Sequence, residues 1–340
     1  MKINEAISKL VERVDLEEEE MISVMNNIMG GSVSDAQISA FLVALRMKGE
    51  TISEITGAAR VMKSKCRKIH SKHSVVVDLC GTGGDMQGTF NISTVASIIT
   101  AGAGVPVAKH GNRSVSSQVG SADLLERLGM NINLNPEGAE KCLNETGFTF
   151  LFAPNYHPAM KNVAKTRKDI AIRTIFNILG PMTNPANIKH QVVGVYSQHL
   201  IEPLAKVFRN LDYERAMVVH GSDSLDEISI TGNTDIAELK KGVVKVSKIE
   251  PTAVGLSKWT LQDIKGGDLE ENKRIALSVI KGEDKQAKRD IAVINAAAAI
   301  LVANKARDMK EAVEMSEHSI DSGAAFKKLS SIIKFSNTWN

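Results

Sequence analysis

The 340 residues are 43% hydrophobic and 24% charged, an ordinary balance for a globular chain of two modest domains or one large α/β unit. Aromatic residues make up only 4%, so the core must rely on Ile, Val, Leu, Ala and Met. A formal charge of +3 gives no basis for nucleic-acid or membrane binding, which needs a clustered basic patch.

The first seventy residues carry helical signals only. Ile3, Ile7, Leu10 and Val14 recur at helical spacing, and a second stripe, Met21, Met25 and Ile28, ends at Gly30-Gly31. Ser34 with Gln37, and Thr51 with Glu54, have capping-box spacing at the heads of two further helices. The acidic run Glu17–Glu20 does not fit a signal peptide. Cys66, Cys80 and Cys142 are odd in number, far apart and without metal-ligand spacing, so a reduced, cytoplasmic protein is expected.

At Ser74 the texture changes. Val75–Leu79 is a continuous apolar, β-branched run of the kind that forms a buried parallel strand. Strands are also expected at Val105–Ala108, Phe148–Phe152, Gln191–Tyr196 and Ala216–His220. Helices are expected near 93–103, 121–129, 136–146 and 200–211. This alternation predicts an α/β domain with a largely parallel sheet. His157–Leu179 shows helical periodicity without a strand signal, so it is expected to pack back onto the N-terminal helices. The predicted division is a helical domain of residues 1–72 with 165–188 returning to it, and an α/β domain of 73–164 and 189–340. Ile291–Ala303 is the most apolar stretch, but Asn295 breaks it and it is too short to span a bilayer.

The chemistry concentrates after the strands. Gly81-Thr82-Gly83-Gly84-Asp85 follows the first one, where glycines let backbone N–H groups approach an anion; a plain tight turn is the alternative. No Gly-Lys-Ser/Thr run follows to make a Walker A loop, and Met86 stands where a dinucleotide fingerprint needs its third glycine. Asn91-Ile92-Ser93-Thr94 opens an apolar helix and could hold phosphate or cap the helix, or both. Lys109-His110-Gly111-Asn112-Arg113-Ser114 sits at the next strand end, either an anion-binding crevice or a solvated turn. The hydroxyl-rich run Ser114–Ser121 is expected to be a flexible loop that closes over phosphates. Asp226-Glu227, on another strand-end loop, are hard oxygen ligands suited to magnesium. His157 could line an aromatic pocket and Arg167 could fork onto a carboxylate; the alternatives are a helix-start residue and a surface charge.

Taken in order, Gly81–Asp85, Asn91–Thr94, Lys109–Arg113, Ile172–Pro181 and Leu225–Ser229 resemble the anthranilate phosphoribosyltransferase family of tryptophan biosynthesis, over nearly the full length. The resemblance implies a small helical domain plus a larger α/β domain with a central, mostly parallel sheet, the phosphorylase and phosphoribosyltransferase-like arrangement. It implies a homodimer through the helical domain, and transfer from phosphoribosyl pyrophosphate (PRPP) to the amine of anthranilate. By the same resemblance, Gly81, Gly84, Asp85, Thr89, Asn91, Ile92, Ser93, Thr94, Lys109, His110, Gly111, Asn112, Arg113, Ser114, Val115, Ser116, Ser117 and Ser121 would contact PRPP. Gly81, Asn112, His157 and Arg167 would surround anthranilate. Ser93, Asp226 and Glu227 would hold Mg2+, two ions per chain, with Lys109, Arg167, Asp226 and Glu227 carrying the catalysis. Ser224 stands where a glycine is common, and Met182 is a second departure. A phosphorylase of similar fold would carry a different run after Lys109-His110.

Overall fold

The computed structural model describes residues 1–113 and 119–339; of the expected phosphate-closing run Ser114–Ser121, residues 114–118 lie outside the described residues. Four helices open the chain: α1 (Ile3–Val11), α2 (Glu18–Met29), α3 (Asp35–Lys48) and α4 (Ile52–Lys65). Both expected capping boxes form, with Ser34 and Thr51 accepting the Gln37 and Glu54 amides.

Among the described residues the sheet has seven strands: β1 (Val77–Gly81), β2 (Val107–Gly111), β3 (Phe148–Phe152), β4 (His190–Gly194), β5 (Arg215–Gly221), β6 (Thr234–Lys240) and β7 (Val243–Ile249). Their spatial order is β3-β2-β1-β4-β5-β6-β7. The first five are mutually parallel, and β6 and β7 add an antiparallel edge. The strand expected from Val75 begins two residues later, because the ladder starts with the Val77 amide on the Pro106 carbonyl. The strand expected from Val105 likewise runs over 107–111.

The remaining helices are α5 (Ile92–Gly102), α6 (Ser121–Arg127), α7 (Pro136–Thr146), α8 (Ala153–Tyr156), α9 (Lys161–Ile170), α10 (Phe176–Leu179), α11 (Ile201–Asn210), α12 (Leu269–Ile280), α13 (Ala287–Val302), α14 (Met309–Asp321) and α15 (Ala324–Thr338). Side chains alternate across the sheet, so its two faces build two cores. Leu79, Val192, Met217 and Val219 face α5, α12, α13 and α14. Val193, Val195, Ala216 and Val218 face α11 and the N-terminal helices, whose Phe41, Leu45 and Met25 join the same core. Within this second layer α9 touches α2 and α3: Asn162 donates to the Met29 carbonyl at 2.9 Å, and Lys165 pairs with Asp35 at 3.2 Å.

Candidate active site

The strand order reverses at β1, with β2 and β3 to one side and β4 and β5 to the other. In an open parallel sheet such a switch point opens a crevice at the strands' carboxyl ends. Gly81 and Gly194 end β1 and β4 and stand in register. Asp226 lies over both: a Cβ on Gly81 would overlap its carboxylate, and one on Gly194 its main-chain carbonyl. Glycine is required at both positions for that approach.

The carboxylates are held by backbone. Asp226 Oδ2 accepts the Gly83 amide at 2.7 Å, and Glu227 Oε1 accepts the Ser93 amide at 3.2 Å. Burial, then the neighbouring Asp85 charge, pushes Asp226 up to about 7. Burial and Asp226 push Glu227 up too, against the pull of Lys109. Lys109 is itself buried, so it is no solvated turn residue; its Nζ donates to the Leu79 carbonyl at 2.6 Å and to Ser93 Oγ at 3.3 Å. Burial lowers its pKa, while Asp78, Cys80 and Glu227 pull the other way.

Asp85, Asp226 and Glu227 thus gather around the glycine loop beside one buried amine, Lys109, and all the carboxyl donor atoms are hard oxygens. This set fits a divalent cation such as Mg2+. Among the described residues no three His, Cys, Asp or Glu side chains form a ready-made cage.

At the head of α5 the capping alternative fails. Asn91 donates its side-chain amide to the Val119 carbonyl at 2.9 Å and caps nothing, and the Ser93 hydroxyl faces Lys109. The helix's first amides are engaged by the Phe90 carbonyl, by Glu227 and by the Asn91 carbonyl, so Glu227 occupies the favourable end of the helix dipole. Ile92 and Thr94 are buried, Ile92 within the core between the sheet and its covering helices. Thr89 pairs with Lys265, whose ammonium bonds the Gln87 carbonyl and ties the glycine loop to the segment before α12. The Asp85 carboxylate accepts the Gln87 amide at 3.2 Å.

A second group lies beyond β2. His110 and His157 are buried with their Nε2 atoms 3.2 Å apart. Burial pushes His110 down to about 3 and His157 to about 4, so both rings are neutral at pH 7. Asp78 ties this group to the first: it accepts the His110 amide at 3.4 Å and the Asn184 side chain at 2.9 Å. Arg167 lies 5.4 Å from the Phe176 ring centroid, half-buried, with its pKa lowered by burial. Among the described residues no carboxylate pairs with it. Arg113 differs: its guanidinium pairs with Asp123 at 2.7 Å and Glu126 at 2.9 Å on the α6 surface. The Asn112 carbonyl accepts the Ser121 hydroxyl at 3.2 Å, and Gly111 packs where a Cβ would strike Phe150. Ser114, Val115, Ser116 and Ser117 lie outside the described residues.

Arg173 is a neighbour the site-residue reading passed over. Its guanidinium bonds the Gly84 carbonyl and stacks 4.2 Å from the Tyr196 ring centroid, joining the segment after α9 to the glycine loop. It lies within the signature run 172–181, yet nothing local marks its partner. A cleft of about 270 Å3, lined by Pro106, Asn144, Gly147 and Lys328, lies at the amino ends of β2 and β3, away from the carboxyl ends that carry these residues.

Residues 73–326 match the a/b domain of the glycosyl transferase family, and residues 4–66 match that family's helical bundle domain. An anthranilate phosphoribosyltransferase of Petrotoga mobilis is 50% identical over 334 residues, spanning 98% of this chain and 97% of the relative. The chain belongs to the anthranilate phosphoribosyltransferase family. The crystal structure of the Thermus thermophilus family member superposes with a TM-score of 0.93 at 39% identity, covering 98% of this chain and 99% of that one. The Saccharomyces cerevisiae member, solved in complex with PRPP and Mg, gives 0.91 at 28% identity, covering 99% and 98%. It has also been solved in complex with 4-fluoroanthranilate. The observed architecture, a helical bundle followed by a mostly parallel sheet, is the one the sequence resemblance implies.

Proposed function

We propose that the chain transfers the phosphoribosyl group of PRPP to the amine of anthranilate, releasing pyrophosphate, as a step of tryptophan biosynthesis. The observation that carries this reading is the gathering of Asp85, Asp226, Glu227, Ser93 and Lys109 around the glycine loop at the strand-order reversal. Ser93, Asp226 and Glu227 hold Mg2+ in this reading, two ions per chain. Bound Mg2+ supplies electrophilic stabilisation of the departing pyrophosphate oxygens.

The chain's own residues divide the remaining work. Lys109 and the glycine-loop amides face the leaving group, where negative charge grows as the bond from C1 to oxygen breaks. The C1–N bond forms from the amine's lone pair, which is free at pH 7 because an aromatic amine is unprotonated there, and the nitrogen then sheds its surplus proton to water. Arg167, half-buried and without a carboxylate partner among the described residues, suits the anthranilate carboxylate. Neutral His157 and Asn112 then orient the ring and amine. Asn91, Thr94, Thr89 and the run from Gly111 to Ser117, with Ser121, contact PRPP. The exposed Val11, Val14 and Met47 of the first helices and the loop after α1 support a homodimer through the helical domain. The three free thiols support a reducing, cytoplasmic setting.

The test is product analysis. Purified protein mixed with PRPP, anthranilate and Mg2+ should yield N-(5-phosphoribosyl)anthranilate and pyrophosphate in equal amounts. Cleavage of nucleosides by phosphate, without that product, would replace this reading with a phosphorylase.

A further inference from the structure

We infer that Asn295 is a positioning residue for Asp226 and Glu227, acting through a two-point amide clamp on Ile228. The inference rests on the magnesium and PRPP reading of that carboxylate pair. From Ile291 to Val302, α13 is fully buried, and Asn295 is its one polar side chain. A buried carboxamide is costly unless its polar atoms are met. Here they are. Oδ1 accepts the Ile228 amide at 2.9 Å, and Nδ2 donates to the carbonyls of Ile228 and Ile291, each at 2.9 Å.

The bond to Ile291 is local to the helix, but the pair on Ile228 is not. The side chain engages both the N–H and the C=O of one distant residue, as a neighbouring strand would. The Ile228 N–H lies in the same rigid peptide plane as the Glu227 carbonyl and Cα, so fixing it fixes the backbone from which the Glu227 side chain leaves. The same two helices grip the loop twice: α13 packs on α5, and the Ser93 amide of α5 holds the Glu227 carboxylate at 3.2 Å. On the other side of the turn, Asp223 accepts the Ser229 hydroxyl at 2.5 Å and the Thr231 hydroxyl at 2.6 Å. Packing alone would be served by leucine at position 295. The amide is explained by what it holds. Outer residues that orient metal ligands act in this way, and their loss weakens metal binding without touching the ion.

The experiment measures Mn2+ binding by electron paramagnetic resonance in the presence of PRPP, for the full-length native protein, Asn295→Leu and Asn295→Ser. Amide hydrogen exchange at Ile228 and the anthranilate KM are read alongside. Faster Ile228 exchange is expected, with the Mn2+ dissociation constant raised about tenfold or more and the anthranilate KM within about twofold of native. Faster exchange with unchanged Mn2+ affinity would overturn the inference, leaving Asn295 as a structural bond only. So would equal losses for Mn2+ and anthranilate. If the leucine variant does not fold, the smaller serine variant carries the same measurement. Asp226→Asn serves as the control for the underlying reading: native protein that binds Mn2+ no better than this variant defeats the carboxylate site itself, and the clamp with it.

Discussion

The two halves of the candidate site place different groups under the same burial. Around the glycine loop, Asp226, Glu227 and Lys109 are ionisable groups crowded out of water beside half-buried Asp85, and burial pushes Asp226 up to about 7. Beyond β2, His110 and His157 are pressed into neutrality, and half-buried Arg167 has no carboxylate partner among the described residues. In both halves burial favours the uncharged form, but only the first gathers acidic oxygens, which a bound cation would ionise as the proposed metal and pyrophosphate chemistry requires. The second keeps titratable rings uncharged, where the proposed reading puts the aromatic amine. A desolvated charge is costly to hold, so its location marks where the chemistry gains from it.

The sharpest way to break the contrast is Lys109→Met. With the ammonium gone, three carboxylates face each other, and kcat/KM measured at saturating Mg2+ should fall about 1,000-fold. A fall below tenfold would show that Lys109 is a structural cation.

The neutral half makes a pH prediction. His157 is lowered from 6.5 to about 4, so its stabilising effect is full above the unfolded pKa and is lost as pH falls through about 4. Native protein should therefore lose on the order of 3 kcal/mol more than His157→Gln between pH 7 and pH 4, measured by chemical denaturation. Parallel curves would mean that folding does not lower the ring's pKa.

The charged half makes a metal prediction. Asp226→Asn with Glu227→Gln should raise the Mg2+ concentration for half-maximal activity at least about tenfold, leaving the anthranilate KM unchanged. An unshifted Mg2+ titration would remove the metal from this side of the site. The smallest effect belongs to the turn that presents these carboxylates. Ser224 sits at φ 67°, so Ser224→Gly should stabilise the ligand-free protein by about 0.5–1 kcal/mol in thermal unfolding.

Much of this was legible in the residues themselves. The glycine loop after a β-branched run, the capped N-terminal helices and the acidic pair after β5 all carry local signals, and the structure puts the loop and the pair together. The β6–β7 hairpin was not legible. Thr234–Lys240 mixes Asp235 and Glu238 with its apolar residues, and Val243–Ile249 is largely exposed and lysine-rich, as an edge strand tends to be. The Lys241-Gly242 turn, both residues at positive φ, was the available hint. Arg173 and Asn295 show the other limit. Each stands out in the chain, as a cation in a signature run and as a polar break in an apolar helix. Their partners, Gly84 and Ile228, are far away in sequence, and only the folded arrangement brings them together.

The two-sided account is tested most directly by steady-state kinetics of Arg167→Ala, with both substrates varied. The account predicts an anthranilate KM raised at least about tenfold, through loss of a charge-assisted contact to the carboxylate, with the PRPP KM within about twofold of native. A variant that loses PRPP affinity while keeping its anthranilate KM would contradict it, because Arg167 would then belong to the charged half.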